Sequence, residues 1–200
     1  LPEAVAALQA YRREGGKVGL VTNSPRPRAG VTKQFVGFGV PDDAWDTIAS
    51  SGDSARSAMI LGAVGQKVWH IGYPGDERFF EPLHLIEDPM TIETVPLEDA
   101  EGIVCTGPED PMADPDVMRP QFLYAKQKGL KLLCANPDIV VDRGEVREWC
   151  AGALAKLYTE MGGESLYFGK PHPPIYDLAR RRLAALGRSI ADDRILAIGD

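Results

Sequence analysis

The chain has 200 residues, 44% hydrophobic and 26% charged, which excludes a disordered or collagen-like polymer and allows one large or two small domains with a real core. A net charge of -7 argues against a nucleic-acid binder, because affinity gained by neutralising phosphates needs a basic surface; a small anion held by a few local cations stays open. Cys105, Cys134 and Cys150 are odd in number and have no C-x-x-C pairing, which argues against a disulfide framework or zinc knuckle and fits reduced cytoplasmic thiols.

Pro2 opens a helix in which Ala4, Ala7, Leu8 and Tyr11 recur at helical spacing, and Gly15-Gly16 ends it. "KVGLVTNS" follows as a short β-branched run with a polar far end. The same kind of unit returns as "DTIASSGD" (46–53), "KVWHIG" (67–72), "GIVCTG" (102–107), "LKLLCANPD" (130–138), "SLYFGK" (165–170) and "RILAIGD" (194–200). Helical segments lie between most of these. The clearest covers 150–161, where Cys150, Ala153, Leu154, Leu157, Tyr158 and Met161 form one apolar stripe. Continuous apolar strands alternating with helices predict an α/β fold built on a parallel sheet covered on both faces. Residues 73–120 differ in composition, rich in Pro and acidic residues, and "DIVVDRGEVREW" reads as two short strands around an Arg-Gly turn. Both features suggest an inserted second module. No apolar stretch approaches the ~20 residues needed to span a bilayer and no signal segment opens the chain, so a membrane partner is not expected.

Ligands of such folds bind outside the carboxyl ends of the strands. Three strand ends stand out: Thr22-Asn23-Ser24, Lys170 and Gly199-Asp200. Together they offer a hydroxyl, a cation and a carboxylate, a set suited to a phosphoryl group and a magnesium ion. Gly169 lets the backbone come close, and Pro171 with Pro173-Pro174 stiffens the exit of Lys170. Asn136 and Asp138 end another strand. His70 and His84 have no partner at ligand spacing and read as structural, His172 reads as a solvated neighbour of prolines, and Arg26 and Arg28 read as surface charge.

"LVTNSP", "GKPHPPIY" and "ILAIGD" resemble motifs II, III and IV of the haloacid dehalogenase superfamily, and "SSGDSA" and "CANPD" resemble its NagD-like branch. The resemblance covers nearly the whole chain in the expected order. It implies a Rossmann-like parallel-sheet core, residues 1–64 and 164–200, with an inserted α/β cap at 65–163. It also implies magnesium-dependent hydrolysis of a small phosphorylated metabolite through an aspartyl-phosphate intermediate. In that scheme Thr22 and Lys170 are catalytic, Asn23, Ser24, Asn136 and Asp138 touch substrate, and Asp200 binds magnesium. Relatives with a cap of this size often pair, so a homodimer is the expected assembly. No apolar run followed by the family's nucleophilic D-x-D occurs in the 200 residues, and the chain stops at Asp200 where the family continues. The expectation is therefore a piece cut at both ends and inactive alone. The alternative is a non-enzymatic module that keeps the fold to bind a phosphorylated ligand or to regulate.

Overall fold

The computed structural model describes residues 2–81, 89–187 and 189–199. Helix α1 (Pro2–Arg13) starts at Pro2, which needs no intrahelical donor there, and places Arg12 and Arg13 in its last turn, opposite the negative end of the helix dipole. It leads into β1 (Gly19–Thr22), α2 (Arg28–Gly37) and β2 (Thr47–Ser50). The two strands pair in parallel, with Thr22 opposite Ser50. Helix α3 (Ser51–Ile60) follows directly, and the Ser50 hydroxyl caps it by accepting from the Asp53 N–H at 3.1 Å.

A second, parallel sheet of five strands has the order β4-β3-β5-β6-β9. Its members are β3 (Lys67–Ile71), β4 (Glu93–Thr94), β5 (Gly102–Cys105), β6 (Lys131–Cys134) and β9 (Glu164–Tyr167). Helices α4 (Arg119–Gln127) and α5 (Ala151–Glu160) cover one face, where Ile103, Cys105, Leu132 and Cys134 pack on Phe122, Leu154 and Tyr158. The alternate residues Val68, Val104 and Leu133 turn to the other face and meet Ala55, Met59 and Ile60 of α3. The continuous apolar strands thus have the two-sided cover that the sequence predicts. Strands β7 (Val140–Arg143) and β8 (Val146–Trp149) form the expected hairpin. Helix α6 (Pro173–Ala184) returns to the first sheet, with Ile175 and Leu178 against Ala49.

Two segments differ in their pairing from a simple reading of the sequence. Strand β9, expected within the core segment 164–200, pairs with β6 from Lys131 opposite Glu164 to Cys134 opposite Tyr167. The ladder therefore crosses the expected boundary at residue 164, and the five-stranded sheet ends with Tyr167. The run "RILAIGD" forms no strand in its described part: a 3-10 turn (Asp192–Arg194) is followed by extended chain with Leu196 82% and Ile198 87% exposed. Apolar residues make a strand only where a neighbouring edge takes up their backbone groups, and 195–199 reach no strand edge among the described residues.

The three thiols are free and buried. Cys105 and Cys134 lie opposite each other on β5 and β6. Burial pushes the Cys134 thiol up to about 12, and burial with the nearby Asp138 carboxylate pushes Cys150 up to about 11. No helix among the described residues is long and apolar enough to cross a membrane.

Candidate active site

The carboxyl ends of both sheets open on one cleft of about 1030 Å³. Thr22, Asn23 and Ser24 line it from the end of β1, Thr106 and Gly107 from β5, and Asn136 and Asp138 from β6. Residues at the carboxyl ends of strands from both sheets therefore face one shared cleft.

The loop after β1 is held by its own polar groups. The Thr22 hydroxyl oxygen accepts from the Ser24 N–H at 3.2 Å, the Ser24 hydroxyl accepts from the Arg26 N–H at 3.2 Å, and the Ser24 carbonyl accepts from the Gly52 N–H at 3.0 Å. Because Thr22 accepts inside the loop, its single proton is left to donate outward.

Asn23 joins three segments. Its amide NH2 donates to Asp138 Oδ1 at 2.8 Å and to the Lys170 carbonyl at 3.1 Å, while its Oδ1 accepts from the Lys170 N–H at 2.6 Å. Expected as a substrate contact, Asn23 thus has protein partners at both ends of its amide. Gly169 makes the junction sterically possible. A Cβ there would stand 2.5 Å from Pro137 Cδ and 2.7 Å from Asn23 Oδ1.

Lys170 is half-buried, and the Lys170-Pro171 peptide is cis. Its backbone is brought to Asn23, but the residue is not among those lining the cleft. Asn136 is buried, and its side-chain oxygen accepts from the Asp138 N–H at 3.0 Å, forming the turn that aims Asp138. Asp200 and His84 lie outside the described residues. Among the described residues no three His, Cys, Asp or Glu side chains converge as a metal site.

Several site residues were passed over in the sequence. Arg26, an exposed residue, lines the cleft with Lys33, Arg56 and Arg78. Arg28 instead lies over the Trp45 ring at 5.8 Å. Buried Arg56 donates to the carbonyls of Phe79 at 2.8 Å and Glu81 at 2.7 Å, and its burial lowers its pKa. It pins the 3-10 turn Asp76–Phe80 to α3. Thr106 and Asp76 also line the cleft, and the Thr106 hydroxyl donates to Asp76 Oδ2 at 2.6 Å. Thr106 was within reach of the strand-end rule, since it closes "GIVCTG". Asp76 had no such signal, lying in a stretch marked only by its Pro and acidic content. Of the histidines, His70 is bonded to Thr106, and His172 stacks on Tyr167 with ring centroids 4.7 Å apart.

The family model for haloacid dehalogenase-like hydrolases matches residues 1–85. A haloacid dehalogenase-like family hydrolase from Brucella suis 1330 is 40% identical to the chain; the match covers 100% of this chain and 71% of that one, with a TM-score of 0.90. The chain belongs to the haloacid dehalogenase-like hydrolase family. More distant structures share its fold. A p-nitrophenyl phosphatase from Archaeoglobus fulgidus is 22% identical over 92% of this chain and 67% of that chain, with a TM-score of 0.63. A possible sugar phosphatase from Cytophaga hutchinsonii is 16% identical over 96% and 68%, with a TM-score of 0.71. No curated protein matches. The Thr22 loop and the Lys170 corner meet although 147 positions separate Asn23 from Lys170.

Proposed function

We propose that this family member is a phosphomonoester hydrolase acting on a small phosphorylated metabolite, with no nucleic-acid or membrane partner, and that it pairs as a homodimer. One observation carries the reading: the Asn23 amide fastens the Thr22-Ser24 loop to the backbone of Lys170 at the mouth of a cleft. In this reading the Thr22 hydroxyl and the Lys170 cation, whose backbone is tied to the same loop, act on one phosphoryl group. Thr22 donates to a phosphoryl oxygen, and Lys170 neutralises charge that grows on those oxygens in the transition state. Asn23 is a positioning residue in this reading. It fixes where the lysine leaves the backbone. Ser24 and Asp138 line the approach, and Asn136 sets the Asp138 turn.

The reading includes magnesium, with Asp200 as a ligand, and an aspartyl-phosphate intermediate. Magnesium would supply charge neutralisation at the phosphoryl oxygens. The acceptor aspartate is not found in these 200 residues as an apolar strand ending in D-x-D. The likeness to phosphatases of other organisms supports the reaction class.

The test is turnover of p-nitrophenyl phosphate with magnesium by the protein expressed from its complete gene. Lys170→Ala should lower kcat about a thousandfold, the scale of losing one charge clamp in a dry site. No turnover, or turnover untouched by Lys170→Ala, rejects the reading. Phosphate binding without turnover favours the ligand-binding alternative.

A further inference from the structure

The five-stranded sheet acts as a ruler along the cleft. Adjacent parallel strands stand about 4.8 Å apart, and residues that follow β3, β5 and β6, neighbours in that order, line the cleft. Asn23 ties the loop of Thr22 to the ends of β6 and β9 through Asp138 and Lys170. The Asp76 carboxylate is bonded to Thr106, the residue just past β5, so it stands one to two strand spacings from the ends of β6 and β9, roughly 5 to 10 Å.

Asp76 is a built carboxylate rather than a loose surface group. Its Oδ2 accepts from the Thr106 hydroxyl at 2.6 Å and from the Tyr73 N–H at 3.3 Å. Thr106 has one proton, given to Asp76, so its oxygen receives the Nε2–H of His70 at 3.0 Å. The imidazole is in turn fixed by the edge of Phe80, with ring centroids 4.9 Å apart. Burial lowers the His70 pKa, the nearby Asp76, Glu77 and Glu109 carboxylates opposing it. Gly72 leaves room for this chain, since a Cβ there would run into the Thr106 hydroxyl and the His70 ring. The turn carrying Asp76 is pinned from α3 by Arg56. All these contacts fall on Oδ2, and Oδ1 has no hydrogen-bond partner among the described residues. Tyr73 and Trp149 line the same cleft and offer aromatic surface to whatever lies along it.

We propose that Asp76 selects the leaving group: the cleft takes a phosphomonoester whose hydroxyl or amine, one to two strand spacings from the phosphoryl group, donates a hydrogen bond to the Asp76 carboxylate. Thr106 is the positioning residue for that carboxylate, with His70 behind it. This inference rests on the phosphatase reading and deepens it.

The experiment uses the protein from its complete gene and a series of alkyl phosphates of increasing length, each ending in either an amine or a methyl group. The expected result is a preference for the amine in kcat/KM that appears only at chain lengths that span this distance. One charge-assisted hydrogen bond sets its size at about tenfold to a hundredfold. Asp76→Ala should erase that preference, and Thr106→Val should shrink it mainly through a higher KM. A preference equal at all lengths overturns the proposal, and so does one that both variants leave intact. Should Asp76→Ala fail to fold by circular dichroism, an unchanged preference in Thr106→Val is enough to overturn it. Absence of turnover with every compound rejects the phosphatase reading itself, whereas turnover without the length-dependent preference rejects only the Asp76 assignment.

Discussion

The two sheets are held in different ways. The five-stranded sheet buries both faces: Ile103, Leu132 and Leu133 are fully buried, and Phe122 and Tyr158 close one side with their rings 5.1 Å apart. The β1-β2 pair has fewer apolar partners, and a two-stranded sheet is marginal by itself. Charged ties supplement its packing. Arg12 grips Asp46 with two hydrogen bonds of 3.0 Å, and the Val18 N–H donates to the same carboxylate at 2.8 Å. Arg182 of α6 donates to Asp53 Oδ2 at 2.7 Å and also to the Ile48 carbonyl. Asp53 in addition accepts from the Arg28 N–H at 3.1 Å, at the start of α2. One sheet thus rests mainly on close packing, the other on polar bonds that tolerate little substitution.

That contrast can be broken in a graded way. Phe122→Ala should cost the most, about 3–5 kcal/mol in chemical denaturation, because a fully buried ring leaves a cavity in the larger sheet. Arg182→Met should cost about 3 kcal/mol, because it leaves the Asp53 carboxylate buried without its cation. Adding Asp53→Asn to that variant should recover part of the loss; a purely additive double mutant would show that the pair is not coupled. Asn23→Ala should lower kcat about a hundredfold while changing stability far less, since it releases the Lys170 corner without opening a core. A loss confined to thermal stability would instead make Asn23 a structural bond only.

The smallest effect belongs to Asp46. Burial alone would raise its carboxyl, but the bonds from Arg12, Val18 and Lys17, together with the Arg12 charge, hold it below the usual carboxylate range. A depressed folded pKa gives stability that is present above the unfolded value of about 3.9 and is lost as pH falls through the folded value. Asp46→Asn should therefore cost about 1 kcal/mol at pH 7 and reduce the loss of stability below about pH 4. An unchanged acid limb of the pH-stability curve would remove Asp46 from this account.

Much of the fold was legible because periodicity and strand length survive in sequence. The stripe from Cys150 to Met161 predicts α5, and "GIVC" and "KLLC" predict strands buried on both faces. Pairing was less legible. Nothing in "SLYFGK" distinguishes a strand of the first sheet from one of the second, and nothing in "ILAIG" says whether a neighbouring edge exists. The site followed the same division. Thr22, Asn136 and Asp138 were found as polar ends of apolar strands, whereas Asp76 acquires meaning only when the fold sets Thr106 and His70 beside it. The Asn23 junction is hidden from the sequence for the same reason, because its partners at 138 and 170 are remote in sequence.

The raised pKa values of Cys134 and Cys150 have a practical consequence. Thiolate is the reactive form, so at neutral pH the native thiols should be nearly silent toward iodoacetamide and maleimides. A single cysteine introduced at exposed Val141, on the hairpin that lines the cleft, can then carry a fluorophore in an otherwise unlabelled protein. Its emission would follow movement of the hairpin against the Thr22 loop as phosphate analogues are added.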